Sequence, residues 1–366
     1  MILSAPKIDG QLEARLEELA TLRLRLGSDV GQTPRWMGTL RRLVRATAVE
    51  SSTSIEGYSV SPAEALALTS GDEQPGTDDE NRLAVASYSR AMAHVGAMAA
   101  DPGFRWSERA ILDLHFDACD FQRDKDPGLW RRGPVSVVGG DGQIAYRGPA
   151  AEEVPGLMAE ACAWLRDGDL DAPAVVRAAM AHLHVVTIHP FRDGNGRVAR
   201  ILQSLVLARE GLVSLEFASI EQYLGEHTQA YYEILERTQG GSYRPERSAR
   251  EWIEFCVEAH IEQANRRLAQ IADAAARWAT LEAVVEQRRW PDRLVIALEQ
   301  SAIGGTDRAG YAREAEVSMA TASADLRRLL DAGLIEQHGR GRSSGYSASE
   351  ALRREIMGGS PDSSAG

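Results

Sequence analysis

The chain has 366 residues, 44% hydrophobic and 26% charged, which leaves room for two or three domains with sizeable cores and excludes a disordered or fibrous class. Its 53 acids against 41 bases give a net charge of −12 and a pI of about 5.3, which argues against non-specific nucleic-acid binding and leaves only a local basic surface open. The three cysteines, Cys119, Cys162 and Cys256, lie far apart in apolar surroundings and read as buried free thiols of a reducing cytoplasm. No basic start followed by an apolar run marks a signal peptide, and no 18-residue apolar run marks a membrane partner.

Helical spacing of apolar residues predicts helices over 11–25 and 36–50. The second runs toward "SSTSIEGYSV" (51–60), where Gly57 is placed as helix ends are. Ser52, Glu56 and Gly57 there form a Ser-x-x-x-Glu-Gly pattern, which taken alone is a helix C-terminus with an exposed carboxylate. A polar Gly/Pro loop follows at 70–80, then helices over 83–99 and 107–119. "PVSVVGGDGQIAYRGP" (134–149) holds two β-prone runs around a glycine-rich turn and predicts a hairpin. Helices follow over 153–166, 173–188, 197–209, 228–237 and 249–288.

Between two of these helices lies "TIHPFRDGNGRVAR" (187–200). The preceding helix is apolar on almost every side, so it is a buried central helix, and Pro190 stops it. The next helix begins near Gly196. A helix N-terminus offers unpaired N–H groups and partial positive charge, which suits phosphate. Gly194 and Gly196 let a ligand approach the backbone. Arg197 and Arg200, three apart, share a face and can grip one anion. Asp193 is a hard oxygen ligand of the kind that holds Mg²⁺ beside a polyphosphate, and His189 is a general base near neutrality. A plain capped turn would need neither the Asn nor the two glycines and aligned arginines. A zinc site built on His182, His184 and His189 fails on spacing, because residues two apart do not share a helix face.

From His189 to Arg200 every fixed position of the Fic motif is matched: His, Phe, Asp-Gly-Asn-Gly-Arg and the final Arg. Over roughly 35–265 the chain resembles the Fic family, whose members mostly transfer AMP from ATP to a hydroxyl of a target protein. The resemblance implies a mainly α fold, a Fic-type helical bundle with a β-hairpin flap. It implies His189 as base, Asp193 as Mg²⁺ ligand, Gly194, Asn195 and Gly196 as an anion hole, and Arg197 and Arg200 on the phosphates. The hairpin at 134–149 resembles the flap that clamps target backbone. "HTQAYYEILERTQGG" resembles the segment closing over the nucleoside, with Tyr231, Tyr232 and Gln239 as nucleotide contacts. Ser52, Glu56 and Gly57 resemble the inhibitory helix, with Glu56 paired to Arg200. The implied cofactors are ATP, as substrate, and Mg²⁺; the target protein is unknown, with the chain itself a candidate for auto-modification and for a homodimer.

"EQRRWPDR" (286–293) predicts a domain junction. Beyond it, the stretch to 356 resembles a winged helix-turn-helix, with its second helix at 319–331 and a wing tipped by Gly-Arg-Gly-Arg. DNA contact would fall to Thr321, Ser323, Arg327, Arg340 and Arg342. Nine arginines against eleven acids over 291–366 make a weakly acidic module, so protein remains open as its partner beside DNA. The expected layout is a helical region with the inhibitory helix (1–100), the Fic core (101–265), a linker helix (266–290), the winged module (291–356) and a disordered tail (357–366). The competing functions are a nucleotide-sensing transcriptional regulator, and a Fic enzyme that uses another nucleotide or removes AMP.

Overall fold

The computed structural model describes residues 1–31, 34–71, 73–140, 142–339 and 345–358. The expected wing tip with Arg340 and Arg342, and the tail beyond 358, lie outside the described residues. The chain is mainly helical and divides into two compact units, one of residues 1–31 and 42–267, the other of 32–41 and 268–366.

The first unit begins with α1 (Gly10–Gly31) and α2 (Met37–Ser54), whose first residues fall in the second unit. Then follow α3 (Pro62–Ser70), α4 (Glu80–Ala100), α5 (Glu108–Cys119), α6 (Val154–Asp167), α7 (Ala174–Ile188) and α8 (Asn195–Glu210). The short α9 (Leu215–Ala218) and α10 (Glu221–Glu226) precede α11 (Thr228–Gln239) and α12 (Arg250–Gln287), which runs on into the second unit. Helix starts are set by polar caps: Ser61 and Glu64 form a reciprocal capping box on α3, Asp79 caps α4 and Ser107 caps α5.

Helices α7 and α8 form the centre, and α4 and α5 pack on α8. All-round apolar sequence makes α7 a core helix, buried from Val175 to Ile188 except at Arg177. Val85, Tyr88, Val95, Leu114, Ala118, Ile201 and Leu205 join one apolar cluster between α4, α5 and α8. The Trp252 indole donates to the Ala179 carbonyl at 2.7 Å and ties α12 to α7.

Several polar groups inside this core are partnered. Gln203 accepts from His182 Nδ1 at 2.8 Å, and His182 Nε2 meets the Tyr231 hydroxyl at 2.9 Å. Gln203 Nε2 in turn lies 3.5 Å from His260 Nε2. Burial pushes His182 and His260 down to about 3, so both are neutral.

The predicted hairpin is present as β1 (Ser136–Val138) and β2 (Ile144–Arg147), antiparallel, with a register shift between Val137 and Val138. β3 (Gly241–Ser242) runs parallel to β2, so β1 is an edge strand.

In the second unit α13 (Leu294–Ile303) leads through β4 (Thr306–Asp307) to α14 (Arg308–Glu314) and α15 (Met319–Asp331). Strands β5 (Ile335–His338) and β6 (Gly345–Ala348) then pair, and α16 (Glu350–Gly358) closes the described chain. The sheet order is β4-β6-β5. Buried Asp325 of α15 accepts from Arg293 at 2.7 and 3.0 Å and from the Tyr311 hydroxyl at 2.9 Å, locking the three helices together.

Candidate active site at the α7–α8 loop

α7 does not simply stop at Pro190. His189 adopts the left-handed conformation, φ 52° and ψ 58°, and its backbone N–H still bonds the Val185 carbonyl at 2.8 Å. The loop that follows is braced from within. The Asn195 side chain accepts from the Phe191 N–H at 2.9 Å and donates to the Phe191 carbonyl at 3.0 Å. Asn195 therefore shapes the loop with its side chain.

Gly194 precedes α8 at φ 77° and offers no side-chain cap, so the first N–H groups of α8 stay open. A Cβ on Gly194 would stand 2.4 Å from Cys119 Sγ. A Cβ on Gly196 would stand 2.5 Å from Glu56 Oε1 and 3.1 Å from Arg200 Nη1. Carboxylate, guanidinium and helix N-terminus thus converge on one point.

The two motif arginines are almost fully buried, each side chain 1% exposed, yet they turn to different partners. Arg197 donates to the Gln122 carbonyl oxygen at 2.8 Å and lies over the rings of Tyr58 and Phe121, at 5.7 and 5.5 Å. Arg200 donates from Nε to the Ser52 hydroxyl at 2.7 Å, and from Nη2 to the Ser52 carbonyl at 3.1 Å and to Glu56 at 2.8 Å. Arg197 Nε and Arg200 Nη1 are buried without a hydrogen-bond partner.

Asp193 is partly exposed; it accepts from the Gly194 N–H at 2.7 Å and from Gln122 Nε2 at 3.1 Å, with Arg197 at 3.6 Å. The same Gln122 nitrogen lies 2.9 Å from the Tyr58 hydroxyl.

His189 Nδ1 lies 3.2 Å from the Val186 carbonyl. A carbonyl only accepts, so Nδ1 carries the proton and Nε2 keeps a free lone pair. Burial holds the His189 pKa below its ordinary value; Arg131 adds to that, while the Val186 carbonyl, Glu56 and Asp193 oppose it. His115 is held neutral by burial, down to about 4, stacks on Phe191 at 3.7 Å and bonds the Asp193 carbonyl at 3.0 Å.

The structure brings His189, Asp193, Gly194, Asn195, Gly196, Arg197, Arg200, Ser52 and Glu56 together, with Gly57 turning the chain at φ 88° just beyond. Tyr231 lies instead in the core on His182. Tyr232 is 46% exposed, and its hydroxyl donates to the Ile55 carbonyl at 3.2 Å, beside Glu56. Gln239 is buried and donates to the Val186 carbonyl at 3.0 Å, the acceptor His189 also uses. Sequence reasoning missed Gln122, His115, Arg131 and Tyr58. Of these only Tyr58 carried a signal, as an aromatic two residues after Glu56.

The profile of the Fic/DOC family matches residues 105–207. Over 199 residues the chain is 28% identical to the protein adenylyltransferase Fic of Aedes aegypti, covering 53% of this chain and 37% of that protein. Over 178 residues it is 30% identical to the protein adenylyltransferase fic-1 of Caenorhabditis elegans, covering 47% and 34%. The chain therefore spans about a third of the length of these curated relatives. Among solved structures, a Fic family protein from Desulfovibrio desulfuricans shares the fold with a TM-score of 0.60 at 21% identity, over 94% of this chain and 98% of that one. Fic-1 (aa134–508) of C. elegans matches with a TM-score of 0.56 at 21% identity, over 71% and 73%. Residues 105–207 thus match the Fic/DOC family, and around that stretch the chain is similar to Fic proteins in sequence and in fold.

Proposed function

We propose that this chain is a protein adenylyltransferase, moving AMP from ATP to a Ser, Thr or Tyr hydroxyl, and that Glu56 on Arg200 holds it off. The observation that carries the reading is the single point above Gly196 where the α8 N-terminus, Arg200 Nη1 and the Glu56 carboxylate meet. Two positive features aimed at one spot suit a phosphate, and an internal carboxylate there now takes its place. Buried donors without a partner, on Arg197 and Arg200, point the same way.

In the reaction the acceptor hydroxyl oxygen attacks the α-phosphorus and the bond to the bridging oxygen of the β-phosphate breaks. Pyrophosphate leaves with the electron pair, and the hydroxyl proton passes to His189 Nε2. His189 is suited to this as a neutral imidazole whose Nδ1–H is already committed. The open amides of α8 and the two arginines orient the phosphates, and positioning with charge neutralisation lowers the barrier.

Among the described residues no cluster of three or more His, Cys, Asp or Glu would cage a metal. A Mg²⁺ site built mainly from phosphate and water needs only one carboxylate, and partly exposed Asp193 fits that role. Bound there, Mg²⁺ would neutralise phosphate charge. The names of the curated relatives favour the transferase over a nucleotide-sensing regulator.

The second unit we read as a winged helix, from its helix order and three-stranded sheet. Thr321 and Ser323 bond within the α15 region, to Ser318 and to the Met319 carbonyl, and the charged residues α15 exposes are Arg327, Arg328 and Asp331. A salt-dependent mobility shift on DNA would assign that surface to nucleic acid; its absence would assign it to protein.

The transferase reading is tested by incubating purified chain and its Glu56→Gly variant with ATP, Mg²⁺ and cell lysate, followed by mass spectrometry. AMP adducts on hydroxyl side chains support it. No adduct from either protein, with ATP or another nucleoside triphosphate, defeats it.

A further inference from the structure

Arg131 stands outside the motif and, beyond its effect on the His189 pKa, plays no part in the chemistry above. It is buried, 7% exposed, and all three of its guanidinium nitrogens donate to backbone carbonyls. Nε donates to His189, Nη1 to Gly133 and Nη2 to Pro149, each at 2.7 Å. Its own backbone N–H donates to the Pro190 carbonyl at 2.9 Å. Gly133 and Pro149 are the two stems of the hairpin, where the chain enters β1 and leaves β2. One planar fork therefore joins both stems to the end of α7.

Three further observations make this junction tight. The Tyr146 hydroxyl of β2 donates to the Thr187 carbonyl at 2.6 Å, a second tie between hairpin and α7. A Cβ on Gly148 would stand 2.8 Å from Val135 and 3.3 Å from Arg131 Nη2, so the stem has no slack. His189 sits in a left-handed conformation that a non-glycine residue keeps only when its surroundings hold it. Carbonyls at the end of α7 lack helical partners, and two of them, of Thr187 and His189, are served by Tyr146 of β2 and by Arg131. Among the described residues no carboxylate forms an ion pair with Arg131; backbone carbonyls accept all of its side-chain hydrogen bonds, and Glu152 acts on its charge from farther off.

We infer that Arg131 is a positioning residue: it fixes the hairpin stem against the His189 carbonyl, and so sets where a hydroxyl presented by a hairpin-bound protein lies relative to the imidazole. The inference rests on the transferase reading above. A lysine cannot replace the fork, because one ammonium does not span three carbonyls in a plane.

The test uses the full chain carrying Glu56→Gly, with Arg131→Lys, Arg131→Met or Tyr146→Phe added. ATP affinity is measured by calorimetry, AMP labelling with radiolabelled ATP, and amide hydrogen exchange by mass spectrometry. With Arg131→Met, labelling is expected to fall roughly a hundredfold, as for a reactant displaced by about 1 Å, while ATP affinity changes by less than about threefold. Hairpin amides over 134–149 should exchange at least about tenfold faster, with α4 and α12 still protected. Arg131→Lys should recover part of the labelling, and Tyr146→Phe should loosen the hairpin in the same sense. Unchanged labelling and hairpin exchange would overturn the inference. So would a parallel loss of ATP affinity and of protection in every helix, which marks a merely structural residue. A Glu56→Gly parent that transfers no nucleotide would overturn the transferase reading instead, and hairpin exchange would then decide the Arg131 tie alone.

Discussion

Arg200 meets Glu56 through one nitrogen only, Nη2 to Oε1 at 2.8 Å, and keeps Nη1 without a partner. The pair is lopsided in exposure too: the arginine is 1% exposed and the glutamate 21%. A charge that buried loses much when its partner goes, so a replacement anion is strongly favoured. Glu56→Gly is therefore expected to raise self-labelling by at least roughly tenfold, within the usual range for coupled sites. Radiolabelled ATP and a gel measure it; equal labelling by both proteins would remove Glu56 from the regulation.

His189→Ala in the Glu56→Gly chain is expected to cut labelling by about 10²–10⁴-fold, the usual worth of a general base. ATP binding should survive, because no phosphate contact is assigned to the imidazole. Calorimetry beside the labelling assay separates the two effects. Loss of ATP binding at the same time would recast His189 as a binding residue.

Tyr58 gives the turn that follows Glu56 a second hold. Its ring lies over Arg197 and edge-on to Phe121, and its hydroxyl bonds Gln122. A contact of this kind is worth about 0.5–2 kcal/mol. Tyr58→Ala is expected to activate labelling a few-fold, by less than Glu56→Gly. Labelling below the wild-type level would show that Tyr58 serves the active form instead.

The motif was legible because its chemistry is compressed into twelve consecutive positions, and the brace of Asn195 on Phe191 closes within that run. The helices around it were legible from apolar spacing. Gln122, His115 and Arg131 were not, since each meets the loop only after folding; Gln122 is 75 residues from Arg197. Adjacent tyrosines show the limit in miniature. On α11 successive side chains point about 100° apart, which sends Tyr231 to the His182 network and leaves Tyr232 exposed beside Glu56.

Gly194→Ala is expected to destabilise the domain by about 1–3 kcal/mol, because a Cβ there meets Cys119 and strains a left-handed residue. Urea unfolding measures the loss. Adding Cys119→Ala should restore the part owed to the clash and leave the backbone part. Full recovery would remove backbone strain from the account.

Four buried histidines give stability an acid limit. Burial lowers His115 and His184 to about 4, and His182 and His260 to about 3. Unfolded, each takes a proton near 6.5, so below that pH the unfolded state binds more protons than the folded one. Stability should thus be full above 6.5 and fall as pH drops toward 4 and 3, each histidine contributing about 1.4 kcal/mol per pH unit in that window. Thermal melts across that range check the slope, and His184→Gln should flatten it. A melting temperature constant between pH 6.5 and 4.5 would contradict the buried neutral state.

Ser52 is wholly buried and holds Arg200 twice, by hydroxyl and by carbonyl, independently of Glu56. On the proposed reading, departure of the carboxylate leaves the guanidinium where it was. Off and on would then share one binding surface and differ in who sits on it. On that reading such a device would need no refolding to start and none to stop: the resting protein would be a finished enzyme with its own tenant in the phosphate seat, and any event that evicts a single side chain would set it running.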